Sequence, residues 1–227
     1  DVAELFVEQP LIVEQIQGSY FDGPGVTYTF PNPATVANDV DQVRIALDPL
    51  KFKAEVFAQA VPWRDDTAFL MARFTNTSSE PLFESYESLF SVNDSFVGIG
   101  NVPAIPVGTE GVLGFGPIEE VRLERIVIDR KEGDSGIISR SNIRDGKVRI
   151  DIENFGKRSW PVELLDRVPY SEQEDLIITY SADPRPDDEN VDDKRGILQW
   201  NFDLPPGSEK SISIDQKIQW PEGKVLH

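Results

Sequence analysis

An all-β chain built of two antiparallel β-sandwich-like units is the fold class that the 227-residue sequence predicts. Three observations carry it. Short segments of alternating β-branched and aromatic residues recur along the chain, Gly and Pro punctuate the gaps between them, and helix signals are nearly absent. A turn grammar that occurs twice splits the chain into two units, of which the second is expected to be immunoglobulin- or fibronectin-like.

In chain order, alternation marks strands at 26–30, 43–47, 52–57, 68–74, 121–128, 148–152, 162–165, 175–180, 196–202 and 210–218. Turns are expected at 23–25, 31–33, 103–108, 114–117 and 205–207, where Pro and Gly cluster. The best helical candidate is 80–90, which reads equally as a strand and hairpin because Pro81 opens it. Charges at Arg122 and Glu124 alternate with Leu123, as a sheet with one solvated face allows.

The repeated grammar runs from Asn76 through Pro81-Leu82 to Pro106-Val-Gly-Thr-Glu110, and again from Asn154 through Pro161-Val162 to Pro205-Pro-Gly-Ser-Glu209. In each copy an Asn ends a strand and bonds backbone at the turn, and a Pro-x-Gly turn later opens another strand. The polar run 129–136 places the expected boundary, giving an N-terminal β unit at 1–128 and a C-terminal sandwich at 129–227; alternatively 121–128 bridges the two as one long strand.

Composition narrows function. With 40 Asp and Glu against 22 Lys and Arg, a net charge of -18 repels a phosphate backbone, so nucleic acid is not an expected partner. No stretch of 18 apolar residues predicts direct membrane insertion. The chain holds no Cys, and its single His is the final residue, His227, so a His-centred acid-base site is not expected. No cofactor, metal or catalytic residue is predicted. The first residue, Asp1, points to a piece of a longer protein.

Four features compete for a functional role. The acidic run 187–193 has the oxygens calcium needs but not the spacing of a calcium loop, and it reads as a solvated hairpin tip. The glycines of 114–119 read as a turn, since Pro117 follows them. In 162–180 the acids read as turn chemistry and solvated rim, with Ser171 bonding backbone near Glu174 and Asp166 and Glu172 flanking the connection. Phe83, Tyr86, Phe90 and Phe96 form either a core wall or an exposed interaction surface, and they are the candidate site. Trp63, Trp160, Trp200 and Trp220 are expected to seal the ends of two cores.

At this level the chain resembles the C-terminal region of the mucoidy inhibitor A-like family. The stretches that carry the likeness are 60–76, Pro81-Leu82, 95–98, 106–110, 152–154, 162–172, 196–200, 204–209 and Trp220-Pro221. Where that family has Asp-Gln-Leu-Pro-Val-Ser, this chain has Asp166-Arg-Val-Pro-Tyr-Ser171, which weakens any shared chemistry at Asp166 and Ser171. The resemblance implies an all-β module of unknown function that follows a coiled coil in a longer protein. It implies a non-catalytic structural or interaction role with an unidentified protein partner, in the periplasm or extracellular envelope for bacterial members. A carbohydrate-binding module using an exposed aromatic patch is the alternative expectation, and a carboxylate-dependent hydrolase the second.

Overall fold

A computed structural model describes residues 4–5, 19–22, 25–28, 49–135 and 141–221, with side chains over 49–128 and 142–221. The strands are β1 (Glu4–Leu5), β2 (Ser19–Asp22), β3 (Gly25–Tyr28), β4 (Phe52–Ala60), β5 (Thr67–Thr75), β6 (Ser85–Val92) and β7 (Ser95–Val102). They continue as β8 (Glu110–Ser135), β9 (Ser141–Asn154), β10 (Trp160–Arg167), β11 (Ile177–Asp183), β12 (Asp188–Glu189), β13 (Ile197–Leu204) and β14 (Glu209–Pro221). A single 3-10 turn, Val191–Asp193, is the one helical element among the described residues.

The chain forms two units: Asp1–Val56 with Ala72–Phe115, and Phe57–Met71 with Gly116–His227. In the first, β1 pairs with the start of β4, while β2–β3 and β6–β7 are separate two-stranded hairpins. Its core gathers Phe74, Phe90, Ile105, Leu113 and Phe115, all buried. Phe90 meets Phe115 edge-on, with ring centroids 5.3 Å apart, and Phe52 lies 4.9 Å from Phe74. Both separations suit aromatic packing. Gly111 is required here, because a Cβ at that position would collide with Ile105.

In the second unit one sheet runs β11-β14-β9-β8-β5-β4-β10-β13-β12, with the parts of β4, β5 and β8 that belong to this unit. The pairs β10–β13, β11–β14, β12–β13, β14–β9 and β8–β9 are antiparallel, whereas β10 runs parallel to β4, with Val162 opposite Ala58. That pair corrects the expectation of purely antiparallel sheets. Alternation explains the core: β10 turns Trp160, Val162 and Leu164 inward, and β14 turns Ile212 and Ile214 inward. Each such apolar side chain contributes about 1.5–3 kcal/mol by burial.

The sheet curls back on itself. β8 and β10 are three places apart in the order, about 14 Å in a flat sheet. Yet Arg125 of β8 bonds Asp166 of β10 at 2.9 Å, and Tyr180 of β11 bonds Glu189 of β12 although those strands end the order on opposite sides. Inward faces on either side of β5 and β4 therefore confront each other.

The stretch 80–90, open between a helix and a strand with hairpin, takes the second form, with β6 at Ser85–Val92. Two expectations change. The glycines of 114–119 lie inside β8, not in a turn; Gly116 alone there takes a positive φ, +91°, which bends a strand without ending it. The polar run 129–136 is no break up to Ser135: β8 continues there in register with β9, Asp129 opposite Lys147 and Ser135 opposite Ser141. The 128/129 division thus falls within a strand. The strand expected at 43–47, the turn at 31–33 and His227 lie outside the described residues.

Candidate functional site

The β6–β7 hairpin carries the aromatic candidates. Asn93 and Asp94 both take positive φ, +48° and +60°, and close a two-residue loop between Val92 and Ser95. That turn matches the twist of the flanking strands. Phe90 lies opposite Gly98 and points into the core, where its ring also occupies the space a Cβ of Gly100 would need. Phe90 is only 7% exposed, so it leaves the candidate surface: a ring packed on Phe115 is unavailable to a partner.

The other three candidates stay outside. Phe83, Tyr86 and Phe96 are 54%, 66% and 63% exposed, and Ile99, which sequence reading passed over, is 65% exposed. Leu89 faces Ile99 across the hairpin and Ser91 faces Phe96, so Ile99 and Phe96 share the face opposite Phe90. Register shifts between Ser85 and Ser88, and between Phe90 and Ser91, explain why simple alternation misassigned the set. Alternation counted from Phe90 through the Asn93-Asp94 turn places Ile99 on the inner face, and only the register shift between Phe90 and Ser91 turns it outward. The Tyr86 hydroxyl bonds Glu84, which raises its pKa above the usual 10.0, with desolvation adding less.

Each unit also contains a buried asparagine clamp. In the first, Asn76 donates its backbone N–H to Thr109 O at 2.9 Å and accepts from Gly108 N–H at 2.8 Å. Its Nδ2 donates to Glu80 O and Ile105 O, and its Oδ1 accepts from Ser78 N–H. In the second, Asn154 donates to Ser208 O at 3.0 Å and accepts from Gly207 N–H at 2.8 Å. Its Nδ2 donates to Arg158 O and Leu204 O, and its Oδ1 accepts from Gly156 N–H. Six residues after each Asn, Leu82 pairs with Ile105 and Trp160 with Leu204, in both cases the residue before the Pro that opens the turn. The clamps hold loop to strand; they offer no reactive group to a ligand, since both side chains are fully buried.

Comparison with known proteins decides the family. The family described as "Domain of unknown function (DUF4139)" matches residues 8–222. The chain belongs to that family. A curated relative, Protein F37C4.5 of Caenorhabditis elegans, is 20% identical over 208 residues, covering 88% of this chain and 37% of the relative. The chain therefore spans little more than a third of that protein. No solved structure matches.

The acids of this DUF4139 chain divide by environment. Asp166 is fully buried on β10, which corrects its reading as solvated rim. Arg125 holds it through Nε at 2.9 Å and Nη2 at 3.3 Å, and the backbone N–H of Arg167 adds a bond at 2.6 Å. A signal existed: Trp160-Val162-Leu164 and Val121-Leu123 are inward series, and the next inward positions are Asp166 and Arg125. Ser171 does act as turn chemistry, accepting from Gln173 N–H beside Glu174, and Glu172 pairs on the surface with Arg195.

The acidic segment 187–193 is engaged locally. Asp187 accepts from Asn201 N–H, Asn190 from Gly196 N–H, and Asp192 pairs with Lys194. Among the described residues no three carboxylates or His converge as metal ligands, and no helix is long and apolar enough to cross a membrane. Trp160 and Trp200 are buried, the latter donating its indole N–H to Pro184 O at 2.9 Å, while Trp63 and Trp220 are half-buried beneath Arg167 and Arg144.

Proposed function

We propose that this chain is a non-catalytic protein-interaction module of a longer protein, and that the outer face of the β6–β7 hairpin takes hold of the partner. The observation that carries the reading is the exposure of Tyr86, Phe96 and Ile99 on a hairpin whose opposite face is anchored by Phe90. Contiguous exposed apolar side chains rimmed by polar ones mark interaction surfaces, and aromatic residues dominate their energetics. Glu84, Glu87 and Asp94 form the rim here, all exposed, so the partner surface is apolar at its centre with basic groups around it. The non-catalytic reading draws on the sequence, which has no Cys and a single His at its end.

The same proposal extends to finer assignments. Both units are read as β-sandwich-like, the second as immunoglobulin- or fibronectin-like, because confronting inward faces and a Pro-Gly turn grammar suit that architecture. The module is read as the C-terminal part of a mucoidy inhibitor A-like protein, with an envelope setting in bacteria and a coiled coil outside this chain. Fractionation of the full-length protein tests the setting.

The decisive experiment places a photo-crosslinking residue at Ile99 or Phe96 in the full-length protein, and at exposed Glu209 of β14 as control. Cross-links to one protein species from 96 and 99, absent from 209 and abolished by Tyr86→Ser, support the reading. Equal labelling from all three positions sinks it. A carbohydrate-binding module is the second reading, favoured by the Tyr86–Glu84 hydrogen bond, which sets a carboxylate beside an exposed ring. A glycan array that lights up with the chain and goes dark with Tyr86→Ser would decide for it.

A further inference from the structure

Along three strands of the second unit the inward positions run apolar and then change character. β8 turns Val121 and Leu123 inward, then Arg125; β9 turns Ile152, Ile150 and Val148 inward, then Gly146 and Arg144; β14 turns Ile212 and Ile214 inward, then Gln216. A Cβ at Gly146 would meet nothing within 4 Å, so the glycine leaves space that a core residue would have filled. The confronting faces do not close there. They leave a cleft of about 750 Å³, walled on its far side by Arg167, Val168, Pro169 and Tyr170. That volume suits a small-molecule ligand. Sequences depart from core patterning at functional sites more than elsewhere.

Among the described residues, the charged side chains that line the cleft are Arg125, Arg144, Lys147 and Arg167. Asp166 lies beneath Arg125, and exposed Asp215 lies 3.4 Å from Lys147. Arg125 uses Nε and Nη2 on Asp166, which fixes the guanidinium while leaving further donors. Arg167 Cζ lies 6.0 Å over the Trp63 ring centroid, within the range of a cation–π contact. Arg144 stacks over Trp220 at 5.7 Å.

We propose that this cleft binds a small organic anion, its carboxylate or phosphate head on the guanidinium groups of Arg125 and Arg167 and its apolar body against Tyr170, Val127 and Ile218. Arg forks match both kinds of head, and half-buried Ile218 with the exposed Tyr170 ring gives an apolar body somewhere to lie. The site is separate from the hairpin surface and stands or falls without it.

Phenylacetate and phenyl phosphate are the probes, with benzyl alcohol as the uncharged control, titrated into the 227-residue chain at low salt and followed by tryptophan emission and calorimetry. Trp63 lies under the binding cation Arg167, and Trp220 under Arg144 of the cleft wall, so emission should respond. Saturable binding of at least one anion below about 20 mM is expected, with none for the alcohol; the stronger of the two identifies the head group. Arg167→Gln should weaken binding about tenfold or more. Gly146→Val should fill the cleft and abolish binding while leaving thermal stability equal or higher. Arg158→Gln, which removes a cation stacked 4.3 Å over Trp160 away from the cleft, should leave affinity unchanged. No saturation by either anion overturns the proposal, as does binding that survives both Arg167→Gln and Gly146→Val or that falls equally with Arg158→Gln.

Discussion

At the scale of single residues, two kinds of buried polar side chain shape the molecule. Asn154, itself fully buried, satisfies the Leu204 carbonyl in the interior and the part-buried Arg158 carbonyl, and truncation to Ala leaves both without this donor. Asn154→Ala should cost about 3 kcal/mol in urea unfolding, the penalty of leaving buried carbonyls unpaired. Asn76→Ala should cost a similar amount, because its Nδ2 holds Glu80 O and Ile105 O in the same way. A loss under about 1 kcal/mol for either would mean the loops hold without the clamp. Asp166 and Arg125 differ in kind, being a buried charge and a half-buried partner. Removing one member strands the other, so Asp166→Ala and Arg125→Met should each cost about 3 kcal/mol. Combined, they should cost distinctly less than the sum of the two, since the double variant leaves no unpaired charge. Additive losses would show that the bridge carries no coupling.

At the scale of elements, what was legible depended on how cleanly side chains alternate. β5, β10, β13 and β14 stood out because inward apolar residues fall on every second position. β8 was legible only at its centre: glycines at 111, 114 and 116 with Pro117 resemble a turn, and only pairing with neighbours keeps such a stretch extended. β6 was obscured by its serines and by two register shifts, which also scrambled the aromatic set and hid Ile99. Of the cleft, the inward Arg125 and Arg144 were visible as breaks in alternation, but the confrontation of β8 with β10 depends on a curl no local pattern encodes. The ends of that curled sheet offer a test. The Tyr180 hydroxyl is raised from 10.0 to about 12, first by desolvation and then by its hydrogen bond and charge interaction with Glu189. A raised folded-state pKa makes a contribution to stability that is complete below pH 10 and lost as pH climbs toward 12. Phenolate absorbance should therefore show one tyrosine titrating near pH 12, and Glu189→Gln should bring it down without restoring 10.0, because burial remains. An unmoved midpoint in the variant would detach β11 from β12.

At the scale of the whole molecule, the question is which stretch of chain is a folding unit. The turn grammar divides the sequence near 128/129, whereas the second compact unit takes in Phe57–Met71 and everything from Gly116. The borrowed segment is engaged throughout that unit: Ala58 of β4 lies opposite Val162 of β10, Thr67 Oγ1 donates to Ile118 O and Val121 O, and Leu123 N–H donates to Asp66 O. A fragment of 129–227 would lose those partners and, with residues 116–128, the strand that pairs the end of β9 from Val148 to Asn154. Ile150 and Ile152, fully buried in the intact chain, would then face solvent on an open sheet edge. The fragment should lack near-ultraviolet circular dichroism and a cooperative thermal transition, while the 227-residue chain shows both. Cooperative unfolding of 129–227 alone would instead restore the sequence division as the physical one and reduce the 57–71 segment to an accessory of a self-sufficient sandwich.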